Sequence, residues 1–182
     1  MIAAPADEHD LRNMMLTAVH TPVPFVIRYP RGNGYLPKWR NEMQIMPIGK
    51  GKKVREGKDV AILTLGTVIH LAEQAAEVLH NSGIEVALYD FKFLKPLDKA
   101  LANEALEAHK YIITLEDGCI TGGFGSEIAE YSCECGFGKE VKRMGIPDSF
   151  IEQGTVPELQ KLCHFDVESI VQTVISLIDN GD

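Results

Sequence analysis

The sequence predicts an α/β fold: a doubly wound, mostly parallel sheet, preceded by a helix and a strand left over from another α/β unit. Three observations carry this reading. Val60–Leu65 is a short, nearly continuous apolar run, as expected of a parallel strand covered on both faces, and Glu85–Asp90 and Tyr111–Leu115 read as its neighbours. Helical stripes separate these strands and the connections are short, which suits right-handed crossovers. The helix and strand that open the chain cannot close a core by themselves, so they read as the end of another sheet.

Taken in order, Asp7 caps an amphipathic helix over Glu8–His20, with Leu11, Met14, Met15 and Ala18 on its apolar side. Thr21–Pro24 stops it, Phe25–Tyr29 is a short apolar strand, and Pro30–Gly34 ends that strand in a loop. Tyr35–Gln44 lacks periodicity and reads as a surface linker anchored by Trp39, the only tryptophan. Ile45–Gly51 is expected to be an edge strand, followed by a turn at Arg55–Lys58. After Val60–Leu65, the residues Ile69, Ala72, Ala75, Ala76 and Leu79 recur at helical spacing, and Asn81–Gly83 closes that helix. Glu85–Asp90 leads into a loop through Phe93 and Pro96, and Leu97–Asp98 opens a helix that turns Leu101, Ala105 and Leu106 inward. Tyr111–Leu115, a helix over about 125–133, a strand at 141–144 and helices over 156–162 and 167–178 complete the domain.

The composition excludes several classes of function. At 182 residues the chain can bury a proper core. A net charge of −8 argues against nucleic acid and anionic membrane as partners. No apolar run approaches the ~20 residues of a membrane helix, and no basic-then-apolar leader is visible. Cys119, Cys133, Cys135 and Cys163 lack zinc-type spacing and read as free thiols of a reducing, cytoplasmic setting.

Two stretches hold candidate chemistry. Glu116-Asp117-Gly118-Cys119-Ile120-Thr121-Gly122-Gly123-Phe124-Gly125-Ser126 leaves the strand at Tyr111–Leu115 and turns through glycines into a helix, at the sheet end where ligands and partner domains dock. A helix amino terminus favours an anion by ~0.3–1 kcal/mol, but Glu116 and Asp117 compete for that field and no P-loop lysine follows. The turn is either an anion site or a close-packed contact; Gly122, Gly123 and Gly125 are assigned to a subunit or domain interface, together with Asp148 in the loop Ile146–Gly154. The second stretch holds Arg28 and Arg31, whose planar forks suit phosphate, with a surface salt bridge as the alternative. The six histidines are scattered and read as structural.

The ordered set Ile27-Arg28-Tyr29-Pro30-Arg31-Gly32, Ile48-Gly49-Lys50-Gly51, Phe93-Leu94-Lys95-Pro96-Leu97-Asp98, Glu116-Asp117 with Gly122–Ser126, and Gly145–Gly154 resembles the carboxyl-terminal third of the 1-deoxy-D-xylulose-5-phosphate synthases. These are transketolase-like enzymes that join decarboxylated pyruvate to glyceraldehyde 3-phosphate. The resemblance implies a remnant of the pyrimidine-binding domain at residues 1–34, a linker at 35–44 and a transketolase-type carboxyl-terminal domain at 45–182. It makes Arg31, and secondly Arg28, the contact to the phosphate of the acceptor sugar. It implies thiamine diphosphate and magnesium for the complete enzyme, with none expected on this chain alone, since the metal motif and activating glutamate lie outside it. The chain is then expected to be a fragment, inactive alone, whose partners are the missing amino-terminal domains or a second copy in a homodimer. A β-subunit tail of a 2-oxo acid dehydrogenase and a non-catalytic interaction module are the alternatives. The orphaned opening segment is expected to expose an apolar face and either self-associate or lack order.

Overall fold

The computed structural model describes residues 1–36 and 40–180. In chain order the elements are β1 (Ile2–Ala3), α1 (Glu8–Val19), β2 (Val26–Ile27), β3 (Lys52–Arg55), β4 (Val60–Leu65), α2 (Ile69–Asn81), β5 (Val86–Asp90) and β6 (Phe93–Lys95). They continue with α3 (Lys99–Ala108), β7 (Tyr111–Cys119), α4 (Phe124–Glu134), β8 (Val141–Ile146), α5 (Val156–Leu162) and α6 (Val167–Asp179).

The main sheet forms because β4, β5 and the first half of β7 are buried along their length, each fully buried Val, Leu or Ile contributing roughly 1.5–3 kcal/mol. Its order is β3-β5-β4-β7-β8, parallel throughout except for β3. The apolar sides of α2 and α6 cover one face, burying Leu79, Ile170 and Val174 against Ile62 and Ile113. On the other face α3 and α4 bury Leu106, Phe124 and Ile128 against Leu63 and Ile112. The doubly wound, mostly parallel reading therefore holds.

Three elements differ from expectation. The edge strand is not Ile45–Gly51 but β3, where alternate residues face water and Lys53 pairs with Glu56 at 2.8 Å and Glu104 at 2.7 Å. Charged side chains suit an edge, where they discourage further pairing. The segment at Phe93 is not a loop but β6. In the strand expected over Phe25–Tyr29, only Val26 and Ile27 pair. Trp39 lies outside the described residues.

β6 changes the picture of the opening segment. β1 pairs with β2 in parallel and with β6 antiparallel, giving a second sheet of order β2-β1-β6. Ala3, Met14 and Phe93 are wholly buried together, with Phe25, Ile27 and Met46 packed on them. The opening helix and strand are therefore folded rather than lacking structure, although Met15, Val19, Val23 and Val26 remain exposed. His109, read as structural, is buried between the carbonyls of Ala105 and Gly57, 3.1 Å from each.

Candidate functional site

The carboxyl ends of β4 and β7 face the opening unit. Gly66 follows β4 with φ +87, and a Cβ added there would lie 3.2 Å from the Ala4 methyl, so the two units approach closely at this turn. Two cavities, of about 230 and 250 Å³, lie between them and share Ala4, Arg28 and Leu65. The first is completed by Tyr29, Thr67 and Asp117, the second by Glu116, Cys119 and the glycine turn.

The glycine turn is filled from within. Glu116, buried at the end of the apolar half of β7, accepts the N–H of Phe124 at 3.0 Å and of Gly125 at 2.9 Å. Its carboxylate occupies the place an outside anion would take, so the competition expected from the sequence is resolved in favour of the protein's own group. Ser126 pins the rest: its hydroxyl donates to the Ile120 carbonyl at 2.9 Å and accepts from Gly122 N–H and from Arg143, each at 3.0 Å. A Cβ on Gly123 would lie 2.2 Å from the Cys119 carbonyl oxygen, and one on Gly125 would lie 2.5 Å from the Thr114 hydroxyl. Both glycines thus make close contacts inside the chain, while Gly122 is exposed with φ +70 and borders the second cavity.

Arg28 and Arg31 part company. Arg28 is half-buried and lines both cavities; Arg31 is exposed and lines neither. Among the described residues no carboxylate forms an ion pair with either arginine. An unpaired, partly desolvated guanidinium at a cavity wall is suited to an incoming phosphate or carboxylate. Asp148 lines neither cavity and sits in an exposed loop beside Phe150, whose ring is fully exposed. Sequence reasoning missed Thr67 and Tyr29 as cavity residues, and it took Glu116 only as a competitor. The signal for Glu116 was a carboxylate directly before a glycine-rich helix start.

The described residues do not fit a diphosphate with its magnesium. The helix amino terminus that borders the cavities holds Glu116, and among the described residues no three His, Cys, Asp or Glu side chains converge as metal ligands would. No described helix is long and apolar enough to cross a membrane.

Fold and sequence together define the class: the chain belongs to the transketolase C-terminal domain family, whose model matches residues 49–170. The curated relatives narrow this. The chain is 48% identical over 94% of its length to 1-deoxy-D-xylulose-5-phosphate synthase of Parabacteroides distasonis and 44% identical over 95% to that of Bacteroides fragilis. The synthase of Halothermothrix orenii is 40% identical over 98% of the chain. The chain spans only 27–28% of the length of these relatives. Among solved structures, a split-gene transketolase described as an inactive beta4 tetramer superposes with a TM-score of 0.84 at 27% identity. It covers 98% of this chain and 57% of its own. A Pichia stipitis transketolase mutant, at TM-score 0.70 and 17% identity, shares the fold.

Proposed function

We propose that this chain supplies the carboxyl-terminal portion of a 1-deoxy-D-xylulose-5-phosphate synthase, and that Arg28 is its contact to the phosphate of glyceraldehyde 3-phosphate. The observation that carries the reading is identity of 40–48% to proteins of that name, extending through the Arg28 strand and not only through the matched domain. In the complete enzyme pyruvate loses carbon dioxide and its remaining two carbons join the acceptor aldehyde. Thiamine diphosphate supplies the electron sink for that step and belongs, with magnesium, to segments other than those described here. This chain contributes binding. The Arg28 fork can hold two phosphate oxygens, the Thr67 hydroxyl can donate beside it, and Asp117 in the same cavity can accept from a sugar hydroxyl. Arg31, the first choice on resemblance, reaches toward solvent, which supports Arg28 over it. Residues 1–34 and 45–182 correspond on this reading to the end of the pyrimidine-binding domain and to the third domain. Partners are the preceding domains and a second copy, in a cytoplasmic setting.

The test is a chimera in which this chain replaces the matching residues of the Parabacteroides distasonis synthase. It should form 1-deoxyxylulose 5-phosphate from pyruvate and glyceraldehyde 3-phosphate. Arg28→Ala should raise the KM for the phosphorylated acceptor roughly 10- to 150-fold, the loss of a charge-assisted hydrogen bond worth about 1.5–3 kcal/mol, with little change in the KM for pyruvate. An unchanged acceptor KM in Arg28→Ala refutes the assignment, and a rise in Arg31→Ala alone returns it to Arg31. A folded chimera that binds cofactor without turnover refutes the wider reading.

A further inference from the structure

A cluster of buried charge joins the opening unit to the five-stranded sheet. Lys92 lies between β5 and β6 with φ +57 and is 7% exposed. Its ammonium pairs with Asp90 at 2.9 Å, from the end of β5, and with Asp10, from the first turn of α1. The same residue's carbonyl accepts the Ala4 N–H at 2.9 Å, and Asp10 accepts the Ala6 N–H at 3.4 Å. One lysine thus holds a carboxylate from each unit, and its backbone holds the end of β1.

Chemistry says what such a cluster does. Asp90 is 1% exposed and its second oxygen, Oδ1, has no hydrogen-bond partner. Burial pushes its carboxyl up, against the pull of Lys92. A lysine needed only inside the main domain would pair with Asp90 alone; the second carboxylate reaches it from the other unit. Among the described residues the apolar cluster of the opening sheet has Ala3, Met14 and Phe93 as its wholly buried members, and only the small side chains of Ala4 and Ala6 reach the two cores of the main sheet, so the ionic contact adds to a modest apolar attachment. Cutting one arm of a buried pair is costly because the remaining charges stay desolvated.

We propose that Lys92 is a latch that docks residues 1–34 on the transketolase-type domain, and that this unit undocks as a body when the Asp10 arm is cut. The five-stranded sheet stays folded when it does.

Hydrogen exchange on the whole chain tests it. Asp10→Asn cuts the arm from the opening unit and leaves the Lys92–Asp90 pair in place. Amide protection over residues 2–27 should fall roughly 100-fold, with protection over 60–65 and 111–116 unchanged. Lys92→Arg, which keeps a cation between both acceptors, should retain most of the protection. Glu8→Gln controls for the loss of an acid from the first turn of α1 and should have a much smaller effect. Protection over 2–27 within threefold of wild type in Asp10→Asn overturns the latch. So does an equal fall in β4 and β7, and so does an equal effect of Glu8→Gln.

Discussion

Glu116→Ala removes the carboxylate that accepts the N–H groups of Phe124 at 3.0 Å and Gly125 at 2.9 Å. Both amides lie in the buried first turn of α4, and each loses its acceptor. An unsatisfied buried amide costs about 1–3 kcal/mol. Water entering from the neighbouring cavity can recover part of this, so the expected loss is about 2–4 kcal/mol. For a chain of this size that lowers the melting temperature by about 5–15 °C. Glu116→Gln keeps one acceptor oxygen but presents an NH₂ to the other amide, so it should lose about 1–3 kcal/mol. Removing the carboxylate also empties an amide cradle at a helix start, which phosphate can then occupy. Phosphate at tens of millimolar should raise the melting temperature of Glu116→Ala and leave wild type nearly unmoved. Urea unfolding followed by circular dichroism, with thermal melts in phosphate and in chloride, measures both effects. A loss below 0.5 kcal/mol in Glu116→Ala, or equal phosphate response in wild type, refutes the reading of this residue as the internal occupant of the turn.

Three further variants probe the scaffold. Asp98 is buried at the start of α3 and accepts from Gly51 N–H at 3.1 Å, Leu101 N–H at 3.3 Å and the Lys50 ammonium at 3.2 Å. Burial alone would raise its pKa, but these donors together hold it below the ordinary carboxylate value. A depressed folded value stabilises the fold above the unfolded pKa of about 3.9 and the contribution is lost as pH falls through the folded value. Urea midpoints at pH 6 and near pH 2.5 should therefore show a gap between wild type and Asp98→Asn that narrows on acidification; a gap that widens contradicts the sign. At the glycine turn, Gly123→Ala should cost about 1–3 kcal/mol from crowding, since the new methyl would meet the Cys119 carbonyl at 2.2 Å. Gly122→Ala has open space but φ +70, and should cost about 1–2 kcal/mol from backbone strain alone. An anion-stabilised melt separates them, because only the Gly123 variant should also disturb Glu116.

Much of this fold was legible because burial on both faces leaves a strong mark. The continuous apolar residues of β4 and β7, and the Ile69–Leu79 stripe of α2, could form little else. Short strands leave no such mark. β1 has two residues and stands just before Pro5, and β6 has three and stands before Pro96, so neither shows a period that can be counted. β3 is charged because it is an edge, and its Lys52-Lys53-Val54-Arg55 falls between the strand expected at Ile45–Gly51 and the turn expected at Arg55–Lys58, with no apolar run to mark it until the antiparallel partner β5 is seen. At the site, residue types were readable and distances were not. Resemblance ranks Arg31 ahead of Arg28; the path of the chain around Tyr29 and Pro30 leaves Arg28 half-buried at the cavity wall and Arg31 in solvent. Lys92 offered no motif at all, since its two carboxylates come from residues 82 positions before it and two before it.

The strand β6 has a consequence for anyone who recombines homologues of this family. Residues 93–95 belong by chain order to the later domain, yet in space they are the third strand of the opening sheet. A crossover placed before residue 49, where the match to the family begins, would therefore not exchange intact modules. It would create a hybrid sheet in which Ile2 and Ala3 come from one parent and their partners Lys95 and Phe93 from the other. The genetic seam and the physical seam are displaced by one strand, and shuffled libraries will tolerate that junction only when Ala3, Met14 and Phe93 are inherited as a compatible set.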